Sequence, residues 1–161
     1  MRAFVTGLTL VSLSIALAAQ APAPAPKVYA SAADIAALMA KAKSTRKPDQ
    51  ANLSQPIVSA APYSANLEYR VGSNQNASVH EREAEMFYVV DGAATLVTGG
   101  KMKEERRTNP ENLSGTGIDG GQRQRIAKGD FAMVPENTPH WFDQIEGTLV
   151  LMSIHLPHVT K

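Results

Sequence analysis

The sequence contains no cysteine. That absence excludes disulfide staples, thiolate nucleophiles and cysteine-bound zinc, so an exported domain of this composition has to be held by packing alone. An excess of charge is missing as well. The 16 Lys and Arg stand against 15 Asp and Glu, a balance that gives no reason to expect nucleic acid as a partner. Where basic residues do gather, at Lys101, Lys103, Arg106 and Arg107, Glu104 and Glu105 are mixed among them, which describes a solvated hairpin tip rather than a binding patch. No segment repeats another, so a single folded unit is expected.

Long apolar runs are scarce, and the one present lies at the start. Arg2, the mostly apolar stretch from Ala3 to Leu17 and the small residues Ala16 and Ala18 read as a secretory signal peptide over residues 1–18, with the mature chain beginning at or near Ala19. Thr6, Gly7, Thr9, Ser12 and Ser14 interrupt the run, which is also short for a membrane anchor. The expectation is an exported protein, periplasmic or secreted, with no membrane contact after cleavage. Residues 19–30 are rich in alternating Ala and Pro and form an extended linker. Ser31 precedes a first turn with Asp34, and Ile35, Leu38, Met39 and Ala42 recur at helical spacing. These predict one amphipathic helix, about Ala32 to Lys43, in a helical extension of residues 31–52 that packs outside the main domain or at a subunit contact.

From residue 53 to 161 the texture is one of short β-like runs. Leu67, Tyr69 and Val71 alternate with Glu68 and Arg70, and Met86 to Val90 is β-branched and aromatic. In the latter run Glu85, Phe87 and Val89 share one face and Met86, Tyr88 and Val90 the other. Asp91-Gly92 predicts a tight turn that folds Ala93 to Thr98 back as a partner. The stretch from Lys101 to Gln124, with Asn109-Pro110, Gly115, Gly117 and Gly120-Gly121, predicts irregular structure, either a cover over the domain's mouth or a surface loop. Gln122 to Ile126, Phe131 to Val134, His140 to Gln144 and Thr148 to Leu156 complete the strands. Many short strands and one N-terminal helix make an all-β fold, a small barrel or sandwich.

Two stretches carry chemistry. The first sets Gly72, Ser78, His80, Glu85 and Gly92 at the spacing Gly, five residues, x-x-His, four residues, Glu, six residues, Gly. The second sets Gly129, Pro135, Asn137, His140 and Gln144 in the order Gly, five residues, Pro-x-x, two residues, His. The pair resembles the two motifs of the cupin superfamily, with Ser78 where the first motif has its first histidine, Asn137 in place of a turn glycine, and Gln144 in place of asparagine. Asparagine enters the left-handed backbone region readily, so the turn is expected to survive. The resemblance implies a double-stranded β-helix barrel of the jelly-roll kind, a single cupin unit.

It also implies a ligand set. Carried over by position, His80, Glu85 and His140 would hold a divalent transition metal, and two imidazoles with a carboxylate suit iron, manganese, nickel or zinc. Glu85 is the candidate catalytic residue. Ser78, Phe87, Phe142, Gln144 and His155 are candidates for the substrate pocket, and His155, on the face of Leu149, Leu151 and Ser153, becomes a fourth ligand if that face points inward. Met133 and Trp141 are expected to line the barrel or its rim, while Tyr69, Tyr88, Arg82 and Arg125 are candidates for orienting an anionic substrate. The implied function is a metal-dependent enzyme of dioxygenase, lyase, decarboxylase or isomerase type acting on a small polar molecule. The alternative is an exported cupin that binds a small ligand without transforming it. Edge strands and the extra helix give the further expectation of a homodimer.

Overall fold

The computed structural model describes residues 25–72 and 74–158, so the expected signal peptide and the first half of the linker lie outside the described residues. Helix α1, Ala32–Thr45, begins with a reciprocal cap in which the Ser31 hydroxyl accepts from the Asp34 backbone and the Asp34 carboxylate accepts from the Ser31 backbone. Its apolar face is spent within the chain. Ile35, Leu38 and Met39 pack on Ile57, Leu67 and Val150, and Gln55 donates its side-chain amide to the Leu38 carbonyl at 2.9 Å. Just before the helix, Lys27 and Ser59 exchange backbone hydrogen bonds at 2.9 and 2.8 Å, which ties the end of the linker to the first strand. Among the described residues no helix is long and apolar enough to cross a membrane.

The rest of the described fold is built on antiparallel strands. In chain order these are β1 (Asn52–Ala60), β2 (Tyr63–Val71), β3 (Ala77–His80), β4 (Glu83–Thr98), β5 (Lys101–Lys103), β6 (Arg106–Asn109), β7 (Asn112–Gly115), β8 (Gly117–Asp119), β9 (Gln122–Ala127), β10 (Phe131–Val134), β11 (His140–Asp143) and β12 (Thr148–Pro157). One curled sheet runs β1-β2-β12-β4-β11-β3-β7-β6, with β9 and β10 also paired to β4, and β5 and β8 form a separate ribbon.

Strand β4 corrects the expected hairpin. Asp91-Gly92 makes no turn: the strand continues through it, so that Glu83 to Gly92 pairs with β12 and Ala93 to Thr98 pairs with β9. The register slips at Val150/Leu151, opposite this point, and Gly92 has φ +81°. A side chain there would place its Cβ 1.8 Å from the Thr148 carbonyl oxygen, so glycine serves here as the bend of a bulge rather than as a hairpin corner. The 101–124 stretch is corrected as well. Its glycines separate short strands, because Met102, Leu113 and Ile118 each have a hydrophobic cluster to enter, shared with Ala77, Val79, Val97 and Trp141.

The barrel interior holds the largest cluster, built on Phe87, Val89, Ala94, Leu96, Phe142, Leu149 and Leu151. On β2 the usual orientation is reversed. Leu67 and Tyr69 face outward beneath α1, and the alternate residues Glu68 and Arg70 therefore point inward. Burial follows the expected alternation on β4, with Glu85, Phe87 and Val89 buried and Tyr88 exposed.

Candidate metal centre

Four strands deliver one side chain each to a common point. His80 comes from the end of β3, Glu85 from the start of β4, His140 from the start of β11 and His155 from near the end of β12. Register explains the convergence: His155 sits directly opposite Glu85 across the β12–β4 ladder, and His140 opposite Ser78 across β11–β3. The inward face of β12 is Leu149, Leu151, Ser153 and His155, so the condition set for His155 holds. Asn137, with φ +56°, makes the left-handed turn before β11 and donates its backbone N–H to the His80 carbonyl at 2.7 Å, joining the second motif to the first.

Glu85 is buried at 4% exposure and lies at the centre. Its Oε2 is 3.2 Å from His80 Nε2 and 3.1 Å from His140 Nε2, and its Oε1 is 3.4 Å from His155 Nε2. The Ser153 hydroxyl donates to the same Oε1. Ligand atoms of His80, Glu85 and His155 all fall within 4.8 Å of one another, and His140 reaches the group through its contact with the carboxylate.

The outer nitrogens fix the tautomers. His140 Nδ1 is 3.3 Å from the Thr138 carbonyl, His155 Nδ1 is 2.9 Å from the Glu83 carboxylate, and His80 Nδ1 is 2.7 Å from Asn112 Oδ1. A carbonyl or carboxylate oxygen only accepts, so each Nδ1 carries a proton and each Nε2 faces Glu85 with its lone pair left to take up a cation, either a metal ion or a second proton. Three lone pairs and a buried carboxylate gathered at one point repel one another unless a positive charge lies among them. Outer acceptors of this kind are what orient metal-bound imidazoles. The donor set, imidazole nitrogen with one carboxylate, fits a first-row divalent ion.

Without a metal, protons do part of this work. Burial pushes the Glu85 carboxyl up, but hydrogen bonds from His140 and His80 and the charges of His140 and His155 outweigh it and hold Glu85 well below the ordinary carboxylate range. Burial pushes His80 down, yet its hydrogen bond to Glu85, that residue's charge, Asn112 and Glu83 together raise it above the usual imidazole value.

The remaining candidates divide. Ser78 lines a cavity of about 480 Å³ beside His80. Phe87 and Phe142 are fully buried, meet edge to face at 5.0 Å, and belong to the core beneath the cluster, with Phe87 5.8 Å from the His140 ring. Gln144 is no pocket residue: with φ +48° it follows the end of β11 at the surface, where its Oε1 accepts from Thr95. Met133 is 57% exposed on the outer face of β10, because it pairs with outward-facing Met86. Tyr69 packs beneath α1, Tyr88 faces outward and Arg125 is engaged by Glu146, while Arg82 lines a separate depression with Glu81, Glu136 and His158. The cation at the cavity is Arg70, which the alternation of β2 placed on the polar face without saying that this face was the inner one. Asn112, Glu83, Ser153 and Thr138 were likewise missed, since each acts on the site through a pairing that only the fold creates.

Solved structures share the architecture at low sequence identity. KdgF from Halomonas sp. superposes with a TM-score of 0.52 at 16% identity, over 71% of this chain and 86% of that one. The cupin domain of Schizosaccharomyces pombe Cnp3 gives 0.51 at 9%, over 71% of each chain. The chain has the cupin fold. A third cupin-fold neighbour, the FeII form of HppE, gives 0.52 at 13% identity over 69% of this chain, and the alignment takes in 54% of that longer protein. No family model and no curated protein matches the sequence. In this chain His155 of the last strand meets Glu85 at Oε1, whereas His80 and His140 meet it at Oε2.

Proposed function

We propose that this cupin is a metal-dependent enzyme acting on a small polar molecule, with His80, Glu85, His140 and His155 holding a divalent iron, manganese, nickel or zinc ion. The observation that carries the reading is the convergence of three Nδ1-protonated imidazoles, Nε2 inward, on one buried carboxylate. When bound, such an ion supplies Lewis-acid polarisation or redox chemistry to whatever it touches. The chain's own contribution is to hold Glu85 ionised and oriented through Ser153, and to keep the imidazoles in the ligating tautomer through Asn112, Thr138 and Glu83. The reaction type is among those of dioxygenases, lyases, decarboxylases and isomerases.

A second reading, a cupin that captures a small ligand without transforming it, has Ser78 on its side, because the first motif there lacks its first histidine. Elemental analysis of protein purified without a histidine tag separates the two. One equivalent of a transition metal supports the enzyme, and protein that remains metal-free after exposure to each of the four ions overturns it.

The export signal over residues 1–18 supports a periplasmic or secreted location, tested by the mass of the exported chain. We also propose a homodimer. The apolar face of α1 is already spent, so the proposal rests on sheet edges, and light scattering that finds a monomer at high concentration removes it.

A further inference from the structure

The cavity beside His80 differs in character from the core beneath the cluster. Its walls are carboxamides and hydroxyls, among them Asn52, Asn76, Ser78, Asn112 and Ser114, and His80, whose Nε2 meets Glu85, stands between it and the metal centre. Among its described lining residues the one formal charge is Arg70, and that guanidinium is already committed. Its Nε and Nη2 donate to Glu68 at 2.9 and 2.7 Å, its Nη1 to Gln75 at 3.1 Å, and its plane lies 4.8 Å from the centroid of Phe142. Away from the end marked by His80, a carboxylate or phosphate among these walls finds no uncommitted cation, and its desolvation there goes uncompensated. An aromatic ligand finds no Phe, Tyr or Trp to stack on.

What the walls do offer is hydrogen bonding of both polarities. Asn112 spends its Oδ1 on His80 and keeps its amide nitrogen as a donor, while the carboxamide of Asn76 and the hydroxyl of Ser78 carry acceptor oxygens on the same walls. Hydroxyl groups, each both donor and acceptor, match such a surface. Serine at position 78, opposite His140 in register, leaves room that an imidazole would fill. The volume, about 480 Å³, suits a single small molecule.

From these features we propose that the cavity binds a small uncharged polyhydroxylated molecule, a polyol or sugar, with one end at the metal centre beside His80 and Ser78. The proposal deepens the metal-enzyme reading and rests on it for that end of the ligand. Asn112 and Ser114 present the hydroxyl-binding surface, and the Arg70–Glu68 pair is a neutral wall that gives a charged ligand no advantage.

The test is calorimetric titration of the metal-loaded full chain with xylitol and myo-inositol, against malate and catechol as acidic and aromatic probes, with metal content measured on the same samples. The expected result is saturable binding of at least one polyol, weakened about tenfold or more by Ser114→Phe, which fills the cavity, while metal content stays at the wild-type level. Asn76→Ala, at the exposed rim, is a milder variant that keeps the test open should Ser114→Phe fail to fold, and it is expected to weaken polyol binding with metal unchanged. Metal-loaded protein that binds malate or catechol but no polyol, or binds none of the probes, overturns the ligand class and leaves the metal reading standing. Polyol binding by protein that takes up no metal supports the ligand class and overturns the metal reading on which its anchored end depends.

Discussion

The two faces of the β2–β12 layer do opposite work. Outward, Leu67, Tyr69, Val150 and Met152 pack with α1 into an apolar cluster, and inward the same strands present Glu68, Arg70, Ser153 and His155. A small barrel ordinarily fills its interior with apolar side chains. Here part of that burial has moved outside, under the helix, and one end of the interior is left free to be polar. Stability and chemistry are thereby assigned to opposite sides of a single layer, and variants on the two sides should fail in different ways.

The largest effect is expected inside. Glu85→Gln keeps the shape of the side chain and removes the anionic ligand, so metal affinity should fall by more than about 100-fold while circular dichroism and the melting transition of the metal-free protein stay cooperative. Metal binding equal to wild type would refute the centre. Outside, Leu67→Ala under the helix should cost ~2–5 kcal/mol in a denaturant titration and leave metal per folded molecule unchanged. A change in metal stoichiometry there would show that the two faces are not independent. Glu83→Gln removes the anionic acceptor of His155 Nδ1 and should weaken metal binding by about 10- to 100-fold, read by competition with a chelator.

A pH series on metal-free protein sharpens the comparison further. Glu85 is depressed below the ordinary glutamate value of 4.5, so its stabilising contribution is present above that pH and is lost as pH falls toward the folded value. His80 is raised above 6.5, so its contribution is present below that pH and is lost as pH rises through the folded value. Melting temperature should therefore pass through a maximum between about 4.5 and 6.5, and the optimum should flatten in Glu85→Gln. The smallest effect belongs to the helix cap. Ser31→Ala removes an exposed hydrogen bond to Asp34 and should cost about 1 kcal/mol, with no effect on metal.

The centre was largely legible in the sequence because its residues sit at fixed spacings from turn-forming positions. His80 and Glu85 flank a short loop before a strand, and His140 follows a turn that Asn137 accommodates in the left-handed region as expected. His155 was legible only as a conditional: alternation shows that it shares a face with Leu149 and Leu151, and the sheet has to say that this face is the inner one. Arg70 and Glu68 were harder. On their strand the apolar residues look like the core-facing set, and only a helix covering that set reverses the assignment. The strands between residues 101 and 124 were hidden by their brevity, since three or four residues between glycines give no measurable period, and with them went Asn112 and Ser114. Asp91-Gly92 misled for a different reason. The dipeptide favours a hairpin when strands on both sides are free to pair with each other, but β12 and β9 claimed the two halves of β4 separately.

That shared strand has a mechanical consequence. Because β4 runs unbroken from the β12 side to the β9 side, it works as a hinge pin that cannot open: spreading the barrel walls apart like a clamshell would mean unzipping ladders on both flanks at once. The cavity beside His80 is bordered instead by Gln75 and Asn109, outside that strand. Both of these residues lie outside the β4 ladders, so the rigidity of β4 does not extend to the rim of that cavity.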